Sequence, residues 1–113
     1  MPVDVSTLWQ KINVGADWET TIRMYLDENK TPQDTTGWAM EVKVKKLDGT
    51  VLKTLTVGAG IVNTPAQGKF VITYAAADTA TITVQQVKVT VKVTDAGAGI
   101  DYLAEGIVDV YFP

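Results

Sequence analysis

An all-β domain, an immunoglobulin-like Greek-key β-sandwich of about seven strands, is the fold this sequence predicts, on three observations. Val87, Val89, Val91 and Val93 alternate with Lys88, Thr90 and Lys92, a period-2 pattern of β-branched residues that sends one face to a core and the other to water. Strand-like runs of the same kind recur along the chain between clusters of turn formers, as the short strands of a sandwich do. Helix-compatible residues gather only at 75–81, and so short a run makes about one turn in isolation. A small closed barrel is the alternative arrangement.

Taken in order, residues 1–10 carry no periodicity and are expected to form an N-terminal arm, with residues 11–113 making a single sandwich domain. Leu8-Trp9 is the apolar pair of the arm, and Trp9 either packs on its own domain or anchors the arm to a neighbour. After Gly15-Ala16-Asp17, the residues Trp18, Thr20, Ile22, Met24 and Leu26 alternate with Glu19, Thr21, Arg23 and Asp27, a strong strand signal. Residues 27–37 form a polar loop of turn formers, in which Pro32 is expected to make no ladder pairing. Trp38, Met40, Val42 and Val44 then face the core, opposite Ala39, Glu41, Lys43 and Lys45. Asp48-Gly49 between strand-like runs predicts a hairpin, with residues 51–57 folding back. A very short Ile61-Val62 strand follows, then a run marked by Phe70, Ile72 and Tyr74, and residues 75–81 are read as a crossover between sheets.

Residues 86–112 close the fold as a long hairpin that turns at Asp95-Ala96-Gly97-Ala98-Gly99. On its second arm Tyr102, Ala104, Gly106, Val108, Val110 and Phe112 share one side, and Leu103, Glu105, Ile107, Asp109 and Tyr111 the other. A one-residue slip would turn either arm inside out, so the valines are expected to face the Tyr102, Ala104, Val108 series. Opposite charges across a ladder contribute roughly 0.2–1 kcal/mol, which favours Lys92 opposite Glu105 and Lys88 opposite Asp109.

The 113 residues, 46% hydrophobic and 20% charged, suit one domain with one core. The chain has no Cys and no His, which removes disulfides, thiol chemistry, Cys/His zinc sites and every His-dependent nucleophile or proton shuttle. A formal charge of −3, a pI near 4.7 and no basic cluster longer than Lys45-Lys46 argue against a protein that neutralises phosphates, so no nucleic-acid partner is expected. No apolar run approaches the roughly 20 residues of a membrane span, and residues 1–7 lack the basic start and apolar core of a signal peptide. Synthesis and folding in a cytoplasm, with no membrane partner, is the expectation. Asn29-Lys30-Thr31 matches the glycosylation sequon and is expected to go unused in that setting.

Asp17-Trp18, Asp34-Thr35-Thr36-Gly37-Trp38, residues 75–80, and residues 89–95 with Leu103-Ala104-Glu105-Gly106-Ile107-Val108 follow one another in an order that resembles the small immunoglobulin-like domains of tailed-phage structural proteins. In that family an acidic-aromatic pair opens an early strand and an Asp-x-Thr-Gly-aromatic motif starts the next. An Ala/Thr-rich crossover then precedes a terminal hairpin with a Leu-x-Glu-Gly-x-Val motif. The match runs over most of residues 14–112; the position after the motif's Asp, usually apolar in the family, is Thr35 here. The resemblance implies a virion building block, made in a bacterial host's cytoplasm, that serves as capsid decoration, fibre attachment or tail and baseplate adaptor. It further implies other virion proteins as partners and assembly as a homo-oligomer, with a trimer the expected symmetry.

Three function classes compete on the residues. An enzyme would have to rest on carboxylates, with Asp27, Glu28 and Asp34 sharing one loop, or Asp95 and Asp101 flanking a glycine-rich turn that resembles a calcium loop without its intermediate ligands. Both groups read better as solvated turns, so no catalytic, metal or cofactor residue is expected. A host-surface carbohydrate- or receptor-binding module would use exposed aromatics, with Tyr25, Tyr111 and Trp9 the candidates. A building block would use the apolar stripe Leu103, Ile107 and Tyr111 on the outer face of the last strand, together with Trp9. Bare sheet edges offer it a second route, by strand addition.

Overall fold

The alternation becomes burial strand by strand in the computed structural model, which describes residues 3–113. Trp18, Thr20, Ile22 and Met24 are buried along one strand, Met40, Val42 and Val44 along a second, and Val87, Val89, Val91 and Val93 along a third. In chain order the strands are β1 (Val3–Asp4), β2 (Ile12–Asn13), β3 (Trp18–Met24), β4 (Ala39–Lys45), β5 (Val51–Val57), β6 (Gly60–Thr64), β7 (Lys69–Tyr74), β8 (Gln86–Thr94) and β9 (Ile100–Tyr111). One helical turn, α1 (Ala76–Thr79), lies between β7 and β8. At roughly 3.3 Å per residue the twelve residues of β9 span roughly 40 Å, which accounts for the 39 Å long axis of the molecule.

The strands run in the order β1-β3-β7-β6-β5-β4-β8-β9-β2. The sheet curls at the tight Gly58-Ala59-Gly60 corner, where Ala59 N–H donates to Thr56 O and Gly58 N–H to Ile61 O, so the two halves close over one core. Pairing of β3 with β7 and of β4 with β8 skips over intervening strands, the Greek-key connectivity of an immunoglobulin-like sandwich. Seven strands of five to twelve residues match the expected number, with the Ile61-Val62 strand longer than expected at five residues; the other two come from the N-terminal segment. There β1 pairs antiparallel with β3 and β2 parallel with β9, so this segment changes sheets between Asp4 and Ile12.

The expected N-terminal arm is part of the sandwich from Val3 onward, while its first two residues lie outside the described residues. Leu8 is fully buried. Thr7 Oγ1 lies 2.6 Å from the hydroxyl of buried Thr20 and accepts the N–H of Thr21, and Trp18 Nε1 donates to Gln10 O at 3.0 Å. The polar 27–37 loop also holds more pairing than expected. Pro32 forms a bridge with Tyr25, because the amides around it do the donating: Leu26 N–H to Thr31 O and Gln33 N–H to Met24 O.

The recurring motifs have structural explanations. Thr35 is fully buried, and its hydroxyl donates to Asn63 Oδ1 at 2.7 Å while Asn63 Nδ2 returns a bond to Thr35 O at 2.9 Å. A polar residue is tolerated there because both partners are satisfied. Asp17 accepts the N–H of Ala76 at 2.7 Å, fixing the start of α1, and buried Thr79 donates to Ala16 O. The crossover is thus tied to the chain segment that precedes β3. Gly68, with φ of 59°, sits where a Cβ would lie 2.5 Å from Met24 O and 2.6 Å from Gln33 O, so no side chain fits between those two carbonyls. Trp38, expected in the core, is half-buried at its margin.

Candidate functional site

The terminal hairpin carries the candidate surface, and its register is set by its turn. Asp95 Oδ1 accepts the N–H groups of Gly97 and Gly99, both at 2.9 Å, and Asp95 N–H donates to Gly99 O. This pins Thr94 opposite Ile100, Val93 opposite Asp101 and Lys92 opposite Tyr102. Continued unchanged, that register would turn Glu105 and Ile107 inward and Val108 outward. A bulge at Leu103 inserts one residue, after which Val91 faces Ala104, Val89 faces Gly106 and Val87 faces Val108.

The expected charge pairing is corrected in consequence. Lys88 stands opposite Ile107 rather than Asp109, and Lys92 opposite Tyr102 rather than Glu105. Lys88 Nζ still reaches Glu105 diagonally at 2.8 Å, and this ammonium holds the Glu105 carboxyl below its usual value. Lys92 turns instead to Glu41 on β4, at 3.8 Å, and Asp109 accepts a bond from Gln86 Nε2 at 3.0 Å. Turn geometry and burial outweigh one cross-strand ion pair.

Of the four predicted contact residues, Ile107 and Tyr111 lie on the outer face, 56% and 45% exposed. Leu103 does not: the bulge turns it to the core, where it is half-buried. Tyr102, assigned from sequence to the inner series, takes the outer position and is 75% exposed, with Ile100 beside it at the hairpin tip. Alternation alone hides this exchange, because a bulge reverses the parity of every residue beyond it. Trp9 stands apart from this row. Its indole lies over Gly106, where a Cβ would fall 2.7 Å from ring carbon Cζ3, and it remains 40% exposed.

Four lysines, Lys43, Lys45, Lys88 and Lys92, share the outer face beside the β9 row, with Lys45 directly opposite Lys88. Glu41 serves both Lys43, at 3.5 Å, and Lys92. The Lys11 ammonium sits 4.8 Å from the centre of the Tyr111 ring, holding the end of the row by a cation–π contact. At the same end an open groove of about 900 Å³ runs between Leu47, Val84, Tyr111 and Phe112.

Three of the five carboxylates weighed as catalytic groups, Asp27, Asp34 and Asp95, are occupied as turn acceptors. Asp27 receives the N–H groups of Asn29 and Thr31 and the Thr31 hydroxyl. Asp34 receives the N–H and hydroxyl of Thr36, which lower its pKa. Asp95 spends its Oδ1 on the hairpin turn. Among the described residues no three His, Cys, Asp or Glu side chains converge as a metal site, and no helix is long and apolar enough to cross a membrane. Tyr25, the remaining aromatic candidate, is half-buried beside its Pro32 bridge.

No protein-family model matches the chain, and no curated protein matches it. Among solved structures, the crystal structure of CopC from Methylosinus trichosporium OB3b is similar over 99% of this chain and 89% of that one, with a TM-score of 0.43 and 9% identity. A likeness of that degree carries no inference about chemistry.

Proposed function

We propose that this chain is a non-enzymatic structural protein of a bacteriophage virion, an immunoglobulin-like accessory module that decorates the capsid or adapts fibre or tail components through protein–protein contacts. The observation that carries the reading is the row Tyr102, Ile107 and Tyr111 on the outer face of β9, three large apolar side chains each 45% or more exposed. Patches of this kind mark contact surfaces, and the ordered motif resemblance supplies the setting. The partners are other virion proteins, and self-association, with a trimer as the expected form, belongs to the same proposal.

The test is the composition of particles. Purified virions from a host that expresses the chain, separated on a density gradient and probed with an antibody against it, should carry it in fixed proportion to the capsid protein. A chain abundant in the lysate and absent from the particles contradicts the proposal.

A further inference from the structure

One row of side chains crosses the outer face of four neighbouring strands. Val51 on β5 stands opposite Lys45 on β4, Lys45 opposite Lys88 on β8, and Lys88 opposite Ile107 on β9. The apolar ends of the row are open, Val51 48% and Ile107 56% exposed. Its centre is a like-charge pair directly across a ladder, an arrangement that destabilises the free chain. Glu105 offsets Lys88, but among the described residues no carboxylate lies within ion-pair distance of Lys45. The Trp9 indole meets Gly106 on the side where Val89 is buried, so it leaves the row uncovered. Three strand spacings of about 4.8 Å make the row roughly 14 Å long. An extended segment laid across it presents alternate residues, and positions i, i+2 and i+4 of such a segment also span roughly 14 Å. The complement of the row is therefore apolar, acidic and apolar at alternate positions, with the carboxylate between the two ammonium groups.

The chain itself presents that pattern. Ile107, Asp109 and Tyr111 alternate on the outer face of β9, and all three are exposed. Leu103, Glu105 and Ile107 have the same spacing, but Leu103 is turned to the core and Glu105 is already paired with Lys88. We propose that the Ile107, Asp109 and Tyr111 stripe of one copy lies across the Val51, Lys45, Lys88 and Ile107 row of a second copy, its Asp109 carboxylate between Lys45 and Lys88. The two outer faces then pack with their strands nearly perpendicular, one of the two common arrangements of packed sheets. Asp109 Oδ1 accepts the Gln86 amide at 3.0 Å, and Oδ2 faces the second copy. A phosphate polymer fits the row less well, since it would leave Val51 and Ile107 uncovered and approach a chain of net charge −3. The inference rests on the self-association proposed above, not on the virion setting, and adds the surface that receives the stripe.

The test is the mass of the full chain in solution, by light scattering and sedimentation over a range of concentrations, for the wild type, Lys45→Glu and Asp109→Lys. The expected result is self-association at least about tenfold weaker in each variant alone. Mixing the two should restore it between unlike copies, because Asp109 of the Lys45→Glu chain still meets Lys45 and Lys88 of the Asp109→Lys chain. Lys45→Glu replaces a like-charge ladder pair with an opposite-charge one, so its melting temperature should not fall below that of the wild type. A wild-type chain that stays monomeric up to about 1 mM would remove the self-association itself and this contact with it. Wild-type association that both variants retain unchanged, or unlike copies that associate no better than like ones, would leave self-association standing and overturn this contact alone.

Discussion

At Gly106 the backbone of β9 passes beneath the Trp9 indole with no room for a methyl group. Gly106→Ala is expected to destabilise the fold by about 1–3 kcal/mol through overpacking. Adding Trp9→Ala should remove most of that penalty, a non-additivity read by a denaturant double-mutant cycle. Additive losses would place Trp9 elsewhere. At Thr35, replacement by Val leaves the Asn63 amide oxygen without its donor, at an expected cost of about 1–3 kcal/mol. Neither contact was legible in sequence. A glycine in a strand predicts a close approach without saying what approaches, and a threonine at a usually apolar position does not name its partner 28 residues away.

The strands were legible as elements because their pattern has the period of the structure they form: Val87 to Val93 and Trp18 to Met24 bury alternate side chains as read. Register was less so, since it depends on the Asp95 turn and the Leu103 bulge, which leave no mark on periodicity. The N-terminal segment has no period because it divides its pairing between β3 and β9. Its anchor is Leu8, and Leu8→Ala should lower stability by about 2–5 kcal/mol; deletion of residues 1–10 should lower the melting temperature more. Turn and ladder carboxylates give the pH dependence. Asp4, Asp34 and Asp48 are lowered by hydrogen bonds from Ser6, Thr36 and Thr50, and Glu105 by Lys88. A depressed folded pKa stabilises above the unfolded value and is lost as pH falls through the folded one. Thermal midpoints should therefore hold steady down to about pH 5 and decline below about pH 4. In Lys88→Ala, Glu105 should titrate at higher pH by NMR.

For the whole molecule, the Greek-key sandwich follows from composition and turn spacing, and the core closes as those imply. The candidate surface was half legible. Ile107 and Tyr111 stand outside as read, Leu103 and Tyr102 exchange faces, and Trp9 packs at home over Gly106 while staying 40% exposed. The most direct measurement is the incorporation of Ile107→Asp and Tyr111→Asp into purified particles, alongside their melting temperatures. Both side chains are about half exposed and outside the core, and surface substitutions of this kind usually change stability by no more than about 0.5 kcal/mol. The account predicts near-native melting for both variants and their loss from particles. Incorporation of both at the wild-type level would contradict it.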